Sequence, residues 1–148
     1  MTRRSYLILF FIALVVQVAV SRLQTVPGYL DANYYFSGGV QLALGKGFTE
    51  PYLWNYLDDP AGIPHPSHGY WFPLASIVSA LGMWLTGQTS YEAGRLFFIL
   101  IAALIPPLVA ALSYRFFQNS AFAWTSGILA IFPVFHLPFL PVPDNYGI

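Results

Sequence analysis

Apolar and polar positions come in long blocks along this chain. Met1 to Arg4 is a short basic start, followed by an uncharged run from Ser5 to Ser21 that Arg22 closes. A bilayer core takes about 20 apolar residues, with roughly 17 as the lower limit, so residues 5–22 are the first expected span. Arg22 can snorkel at its far end. A second run, 94–115, contains Pro106-Pro107. A membrane helix tolerates that pair as a kink where neighbours satisfy the lost hydrogen bonds. Gln118-Asn119-Ser120 then reads as a tight polar turn whose Asn and Ser can cap the next helix. The third expected span, 120–140, is about 30 Å of helix. Pro138, Pro141 and Pro143 break its end just before Asp144.

Between the first two runs lies a segment, 23–91, dense in Tyr, Trp, Pro and Gly. Nearly every polar residue able to do chemistry sits there. Flexible linkers are not built from Tyr and Trp, so the segment reads as an ordered outer loop. Residues 31–44 form a helix, with Tyr34, Gly38, Gln41 and Leu42 at helical spacing and Gly45 as a stop. Residues 70–86 carry Trp71, Leu74, Val78, Leu81 and Leu85 on one stripe, with Ser76, Ser79, Met83 and Thr86 across from it. Tyr70, Trp71 and Trp84 mark both ends with interface-loving aromatics, which suits a short span or a helix on the membrane surface.

Charge placement separates the two. If 70–86 spans, Arg115 falls outside; if it lies on the surface, Arg115 joins Arg3 and Arg4 inside. The second arrangement also brings Asp144 out on the same face as Asp31. The expectation is an all-α polytopic membrane protein with three transmembrane helices and a long outer loop with juxtamembrane helices.

Composition agrees with that solvent. Hydrophobic residues make up 57% of the 148 and charged residues 8%, against roughly 25% charged in soluble domains. So little charge cannot cover a globular surface in water. A net charge of zero gives no electrostatic case for a nucleic-acid partner. Cys is absent, which removes disulfides and thiolate metal sites. Thr2-Arg3-Arg4-Ser5-Tyr6-Leu7 bears a faint likeness to a twin-arginine signal, but Val18-Ala19-Val20-Ser21 is a poor cleavage site, so an uncleaved anchor is expected. The expected setting is a bacterial or archaeal plasma membrane, with the N-terminus cytoplasmic and 23–91 outside. The chain stops at Ile148 within a polar cluster, and the expectation is an N-terminal piece of a longer polytopic protein.

Asp31 followed by an aromatic-rich helix, then Lys46-Gly47-Phe48, then His65-Pro66 before Gly69-Tyr70-Trp71, resembles the first outer loop of the glycosyltransferase C superfamily. That superfamily comprises polytopic enzymes using lipid-linked sugars, among them protein O-mannosyltransferases, aminoarabinose transferases and the oligosaccharyltransferase catalytic subunit. The resemblance covers most of the chain, including Glu92-Ala93-Gly94-Arg95-Leu96 at a helix start and an outer acid after the third span. It implies that Asp31 is a catalytic acid and that Asp144 is the second. Where the oligosaccharyltransferase subunit carries Asp-Asn-Glu, this chain reads Asp144-Asn145-Tyr146 and lacks one carboxylate. Where aminoarabinose transferases carry Lys-Pro against the lipid phosphate, it has His65-Pro66, and His is only partly charged near neutral pH.

On that resemblance the activity is transfer of a sugar from a polyprenyl-phosphate-linked donor to an acceptor on the outer membrane face. Asp31 would take the acceptor's proton. Asp144 would orient the acceptor or help hold a divalent cation, Mg or Mn. His65, His68, Lys46 and Arg95 are the candidates to neutralise the donor phosphate. Tyr35, Trp54 and Asn145 are candidate acceptor or sugar contacts. The remaining partners are membrane lipid and the rest of the polytopic chain.

Each residue also has a plainer role. Asp31 suits a helix cap, and Lys46 between two glycines suits a solvated turn. Arg95 suits snorkelling or pairing with Glu92. His65 and His68 have metal-ligand spacing but no evident third ligand. Trp54, Tyr56 and Tyr52 suit sugar stacking or a small loop core equally. Asp58-Asp59 suits a solvated turn, and His136 a bond to a neighbouring helix. The reading from another class is a non-catalytic polytopic membrane protein, such as a transporter fragment or accessory subunit.

Overall fold

Helices dominate because apolar runs without interior charge satisfy their backbone groups locally. The structure, a computed structural model, describes residues 1–54 and 60–145. In chain order the elements are α1 (Arg3–Arg22), α2 (Leu30–Ala43), β1 (Thr49–Glu50), β2 (His65–Pro66), α3 (Leu74–Thr86), α4 (Tyr91–Gly94), α5 (Leu96–Phe117) and α6 (Ser120–Ile131). The chain divides into two compact units. Of the described residues, one holds 1–24 and 99–141, the other 25–54, 60–98 and 142–145.

The first unit is built from α1, α6 and most of α5. Its core is Leu9, Ala13, Ala103, Ala110 and Ile131. A Cβ at Gly127 would press on Leu9 and Ala110, so the missing side chain lets α6 approach α1 and α5 closely. Much of the remaining apolar surface faces outward, including Leu7, Phe11 and Val15 of α1 and Leu108, Leu112 and Phe116 of α5. Helix α5 runs unbroken through Pro106 and Pro107. Asn119 caps α6 as its sequence predicts, with Oδ1 accepting from the amides of Ala121 at 2.8 Å and Phe122 at 3.3 Å.

Helix α6 corrects one expectation. It ends at Ile131, after 12 residues, or about 18 Å, well short of a 30 Å hydrocarbon core. The cause is Pro133. It supplies no amide and restricts the residue before it, and Phe132 leaves the helical region at φ −119°, ψ 60°. Residues 133–140 continue as turns, held by bonds such as Leu137 N to Pro133 O at 2.9 Å. Among the described residues two helices, rather than three, are long and apolar enough to cross a membrane: Arg3–Arg22 and Tyr91–Phe117.

In the second unit α2 packs on α3, and α3 on α4, through small residues. Gly38 faces Ser76, Gly39 faces Ser79, Gly94 faces Ser79 and Met83, and Gly82 lies against the backbone of Ala93. The Ser76 hydroxyl donates to the carbonyl of Tyr35 at 2.9 Å. Helix α3 is thereby turned with its small face inward. Ala75, Ser76, Ser79, Ala80, Gly82 and Met83 are buried, while Leu74, Leu81, Trp84 and Leu85 are exposed. At 13 residues it is about 20 Å long and too short to span. Helix α2 starts and stops one residue earlier than expected. Its end is a Schellman turn: Gly45 is at φ +72°, with Gly45 N bonding Leu42 O and Lys46 N bonding Gln41 O. One departure from an all-α fold is the antiparallel pairing of Thr49 with Pro66 and Glu50 with His65.

Candidate functional site

The turn at Pro27-Gly28 sets the start of α2. Gly28 is at φ +85°, a conformation open to glycine at little cost, and it delivers Tyr29 as the helix N-cap residue. Tyr29 contributes no side-chain cap; its phenol reaches elsewhere. The Tyr29 hydroxyl donates to Oδ2 of Asp144 at 2.5 Å. The other oxygen, Oδ1, accepts from the amide of Asn145 at 2.5 Å. Asp144 is 3% exposed, so both bonds lie in surroundings where an unpaired carboxylate would be costly. The next side chain extends the clasp, because the Asn145 amide donates to the hydroxyl of Tyr35.

Asp31 sits in the first turn of α2, half-buried, two residues past the N-cap position that Tyr29 holds. Its capping role is thus set aside. Among the described residues its carboxylate has no hydrogen-bond or ion-pair partner. It shares one side of α2 with Tyr35 and Gly38, by the helical spacing. Burial pushes the Tyr35 phenol above its ordinary range. The Asp144 carboxylate pushes it further, the Asn145 bond pulls it back, and Asp31 adds a smaller upward push. Asp144, Asn145 and Tyr35, all named from sequence, are thus joined by hydrogen bonds, and Asp31 lies one turn before Tyr35 on the same helix.

Of the four candidate phosphate ligands, His68 reaches this group of residues, stacking on Tyr35. Lys46 is exposed in the turn after α2, at the end of the helix opposite to Asp31 and so about 20 Å along it. Arg95 is 3% exposed, lies 3.7 Å from Glu92 Oε1 and stands over the Tyr91 ring at 4.7 Å. His65 is buried in β2, with Nε2 at 3.0 Å from the carbonyl of Tyr52. His68 is at φ +62° and packs parallel to Tyr35 with ring centroids 6.4 Å apart. Its Nδ1 lies 3.3 Å from the Trp71 carbonyl, so that nitrogen donates. Its Nε2 is buried and has no hydrogen-bond partner among the described residues. Burial lowers the His68 pKa, and the Trp71 contact opposes this in part. A neutral ring in that position is a poor phosphate ligand.

The aromatic residues do build a core. Trp54 packs on Tyr34 at 5.0 Å and on Trp71 at 6.0 Å, beside Tyr35, Ala75 and Phe98. Trp54 and Tyr52 also line a cleft of about 560 Å³ with Leu30, Asn33, Phe36, Ser37, Val40 and Leu53. Neither acid lines it. His136 is exposed and packs edge-on to Phe135 at 5.4 Å, which corrects the expected bond to a neighbouring helix. Tyr56, Asp58, Asp59 and Tyr146 lie outside the described residues.

Two residues of this site escaped the sequence. Tyr29 carries no motif; its only signal is its place beside Asp31 in Pro27-Gly28-Tyr29. Glu50 is 5% exposed and hydrogen-bonds the Tyr34 phenol, whose ionisation burial and this neighbour both oppose. An acid in a two-residue strand gives no periodic signal of burial.

The donor set for a divalent cation is incomplete. Such ions take about six oxygen ligands. Asp144 has a hydrogen bond on each oxygen, and no three His, Cys, Asp or Glu come together among the described residues. Compared with family models, curated proteins and solved structures, the chain has no significant match.

Proposed function

We propose that this chain is part of a membrane glycosyltransferase that moves a sugar from a polyprenyl-phosphate donor to an acceptor hydroxyl, with Asp31 as the base. One observation carries the reading: Asp144 is bonded to Tyr29 at the start of α2, the helix whose first turn carries Asp31, and of the two acids only Asp144 is already hydrogen-bonded among the described residues. In the reaction the acceptor oxygen bonds to C1 of the sugar as the bond from C1 to the phosphate oxygen breaks. The acceptor proton passes to the Asp31 carboxylate, and polyprenyl phosphate leaves. Asp144, held on both oxygens, acts by fixing Asn145 and Tyr35, which orient the acceptor. Exposed apolar faces on α1, α3 and α5 support a bilayer setting, with 23–91 on the outer surface and α3 lying along it.

The test is labelled-sugar transfer from polyprenyl phosphate sugar in membranes carrying the protein. Asp31→Asn is expected to cut the rate about 100- to 10,000-fold, the usual contribution of a general base, with unchanged thermal stability. Undiminished transfer would remove Asp31 from the chemistry. A second reading, a non-catalytic membrane protein, is favoured by the burial of Asp144 and its two bonds, which is how a structural acid is held. On that reading no sugar transfer depends on Asp31, while Asp144→Ala still loosens the fold.

A further inference from the structure

The two sides of α2 carry different chemistry. Asp31, Tyr35 and Gly38 lie on one side by helical spacing; Leu30, Asn33, Ser37 and Val40 recur on the other. The second side walls the cleft of about 560 Å³, and Tyr52 and Trp54 close it. That volume lies within the range of small-molecule sites, about 300–1,000 Å³.

The lining selects a class of ligand. Among the described residues it contains no Asp, Glu, Lys, Arg or His, so none of these would neutralise a phosphate or a carboxylate. Two rings stand at its edge, Tyr52 and Trp54, inclined at 62° with centroids 6.5 Å apart. Polar atoms come from Asn33, Ser37 and the Tyr52 phenol. The Asn33 Nδ2 donates to the Tyr29 carbonyl at 2.8 Å, which orients its Oδ1 as an acceptor. The Ser37 hydroxyl lies close to the Tyr52 phenol. A hydrocarbon tail would meet the rings but strip water from these polar groups without replacing its hydrogen bonds. A sugar ring matches both, with an apolar C–H face for the indole and hydroxyls for the amide and phenol.

We infer that this cleft is a binding site for an uncharged saccharide, stacked on Trp54 and hydrogen-bonded by Asn33 and Tyr52. It is separate from the acid pair and does not rest on the glycosyltransferase reading.

The probe is a series of methyl glycosides (glucoside, mannoside, galactoside) titrated against the full chain in phosphatidylcholine nanodiscs. Binding is followed by tryptophan fluorescence and by saturation-transfer NMR. Saturable binding of at least one glycoside is expected. Trp54→Ala should weaken it about tenfold or more, a loss of at least roughly 1.4 kcal/mol. Since Trp54 also packs on Tyr34, Val40→Phe serves as a second variant that fills the cleft without removing a contact. It too should abolish binding, while Trp84→Phe should leave it intact. Three results would overturn the proposal: no saturable binding of any glycoside, binding that survives Val40→Phe, or quenching of Trp54 by spin-labelled acyl chains that glycosides do not relieve. Sugar transfer is not measured here, so failure leaves the role of Asp31 untouched.

Discussion

Tyr29 and Asp144 are 115 positions apart in the chain, and the phenol of the first donates to the carboxylate of the second at 2.5 Å. This bond and that of Asn145 to Tyr35 pin residues 144–145 onto the first two turns of α2. This clasp brings Asp144 to the helix that carries Asp31.

Removing the donor tests it. Tyr29→Phe keeps the ring and leaves one oxygen of a buried carboxylate unsatisfied, which costs about 1–3 kcal/mol or more for a charged group. Thermal unfolding in detergent should show the loss. Paired with Asp144→Asn, it should give a clearly non-additive double-mutant cycle; simple additivity would mean the two side chains are not coupled.

The small-residue packing of α3 makes a sharper demand. A Cβ on Gly82 would collide with the backbone carbonyl of Ala93, whereas one on Gly62 meets nothing within 4 Å. Backbone cannot swing aside as a side chain can. Gly82→Ala should therefore destabilise by about 1–3 kcal/mol, and Gly62→Ala should stay within about 0.5 kcal/mol. Equal melting temperatures for the two would refute the close approach of α3 and α4.

His68 predicts a direction for pH. Burial holds its folded-state pKa below the ordinary value, which is about 6.5 in the unfolded chain. Above that value the ring is neutral in both states and contributes no pH dependence. As pH falls below it, the unfolded chain takes up the proton first, so stability drops until the lowered folded value has been passed. Its ring faces Tyr34, Tyr35 and Phe48, none of them charged in that window. His68→Asn, which tolerates the positive φ, should flatten this part of the stability profile. An unaltered slope would show that other groups set it.

Topology is open to direct labelling because the sequence contains no Cys. Single cysteines at Lys46 and Asn145 should both react with an impermeant maleimide applied to the outer face of intact cells. A cysteine at Thr2 should react only after permeabilisation. Labelling of 46 and 145 from opposite sides would end the proposal of a shared outer face.

Local signals were legible where one residue or one turn decides the outcome. Gly45 ends α2 because only its left-handed backbone lets the Schellman bonds form, and Asn119 caps α6 because its carboxamide reaches two free amides. The runs of α1 and α5 were equally plain, since an unbroken apolar stretch has no other way to satisfy its backbone in lipid. Length misled at 120–140: the apolar run continues past Pro133, but the helix cannot, because proline offers no amide and crowds the residue before it. Side-chain partnership was not legible at all. Whether Arg95 meets a phosphate or Glu92, whether His68 is charged or buried neutral, and whether α3 hides its leucines or its serines depend on which surfaces meet. A one-dimensional pattern carries periodicity but not the identity of the opposing face. The sequence by itself determined the two long apolar helices α1 and α5 and the helix α2 that carries Asp31, and it predicted a third long helix that ends early. Tertiary packing alone decided that Tyr29 and Asn145 hold Asp144 to α2, and that the cleft lies on the other side of that helix, because both outcomes depend on contacts between residues far apart in the chain.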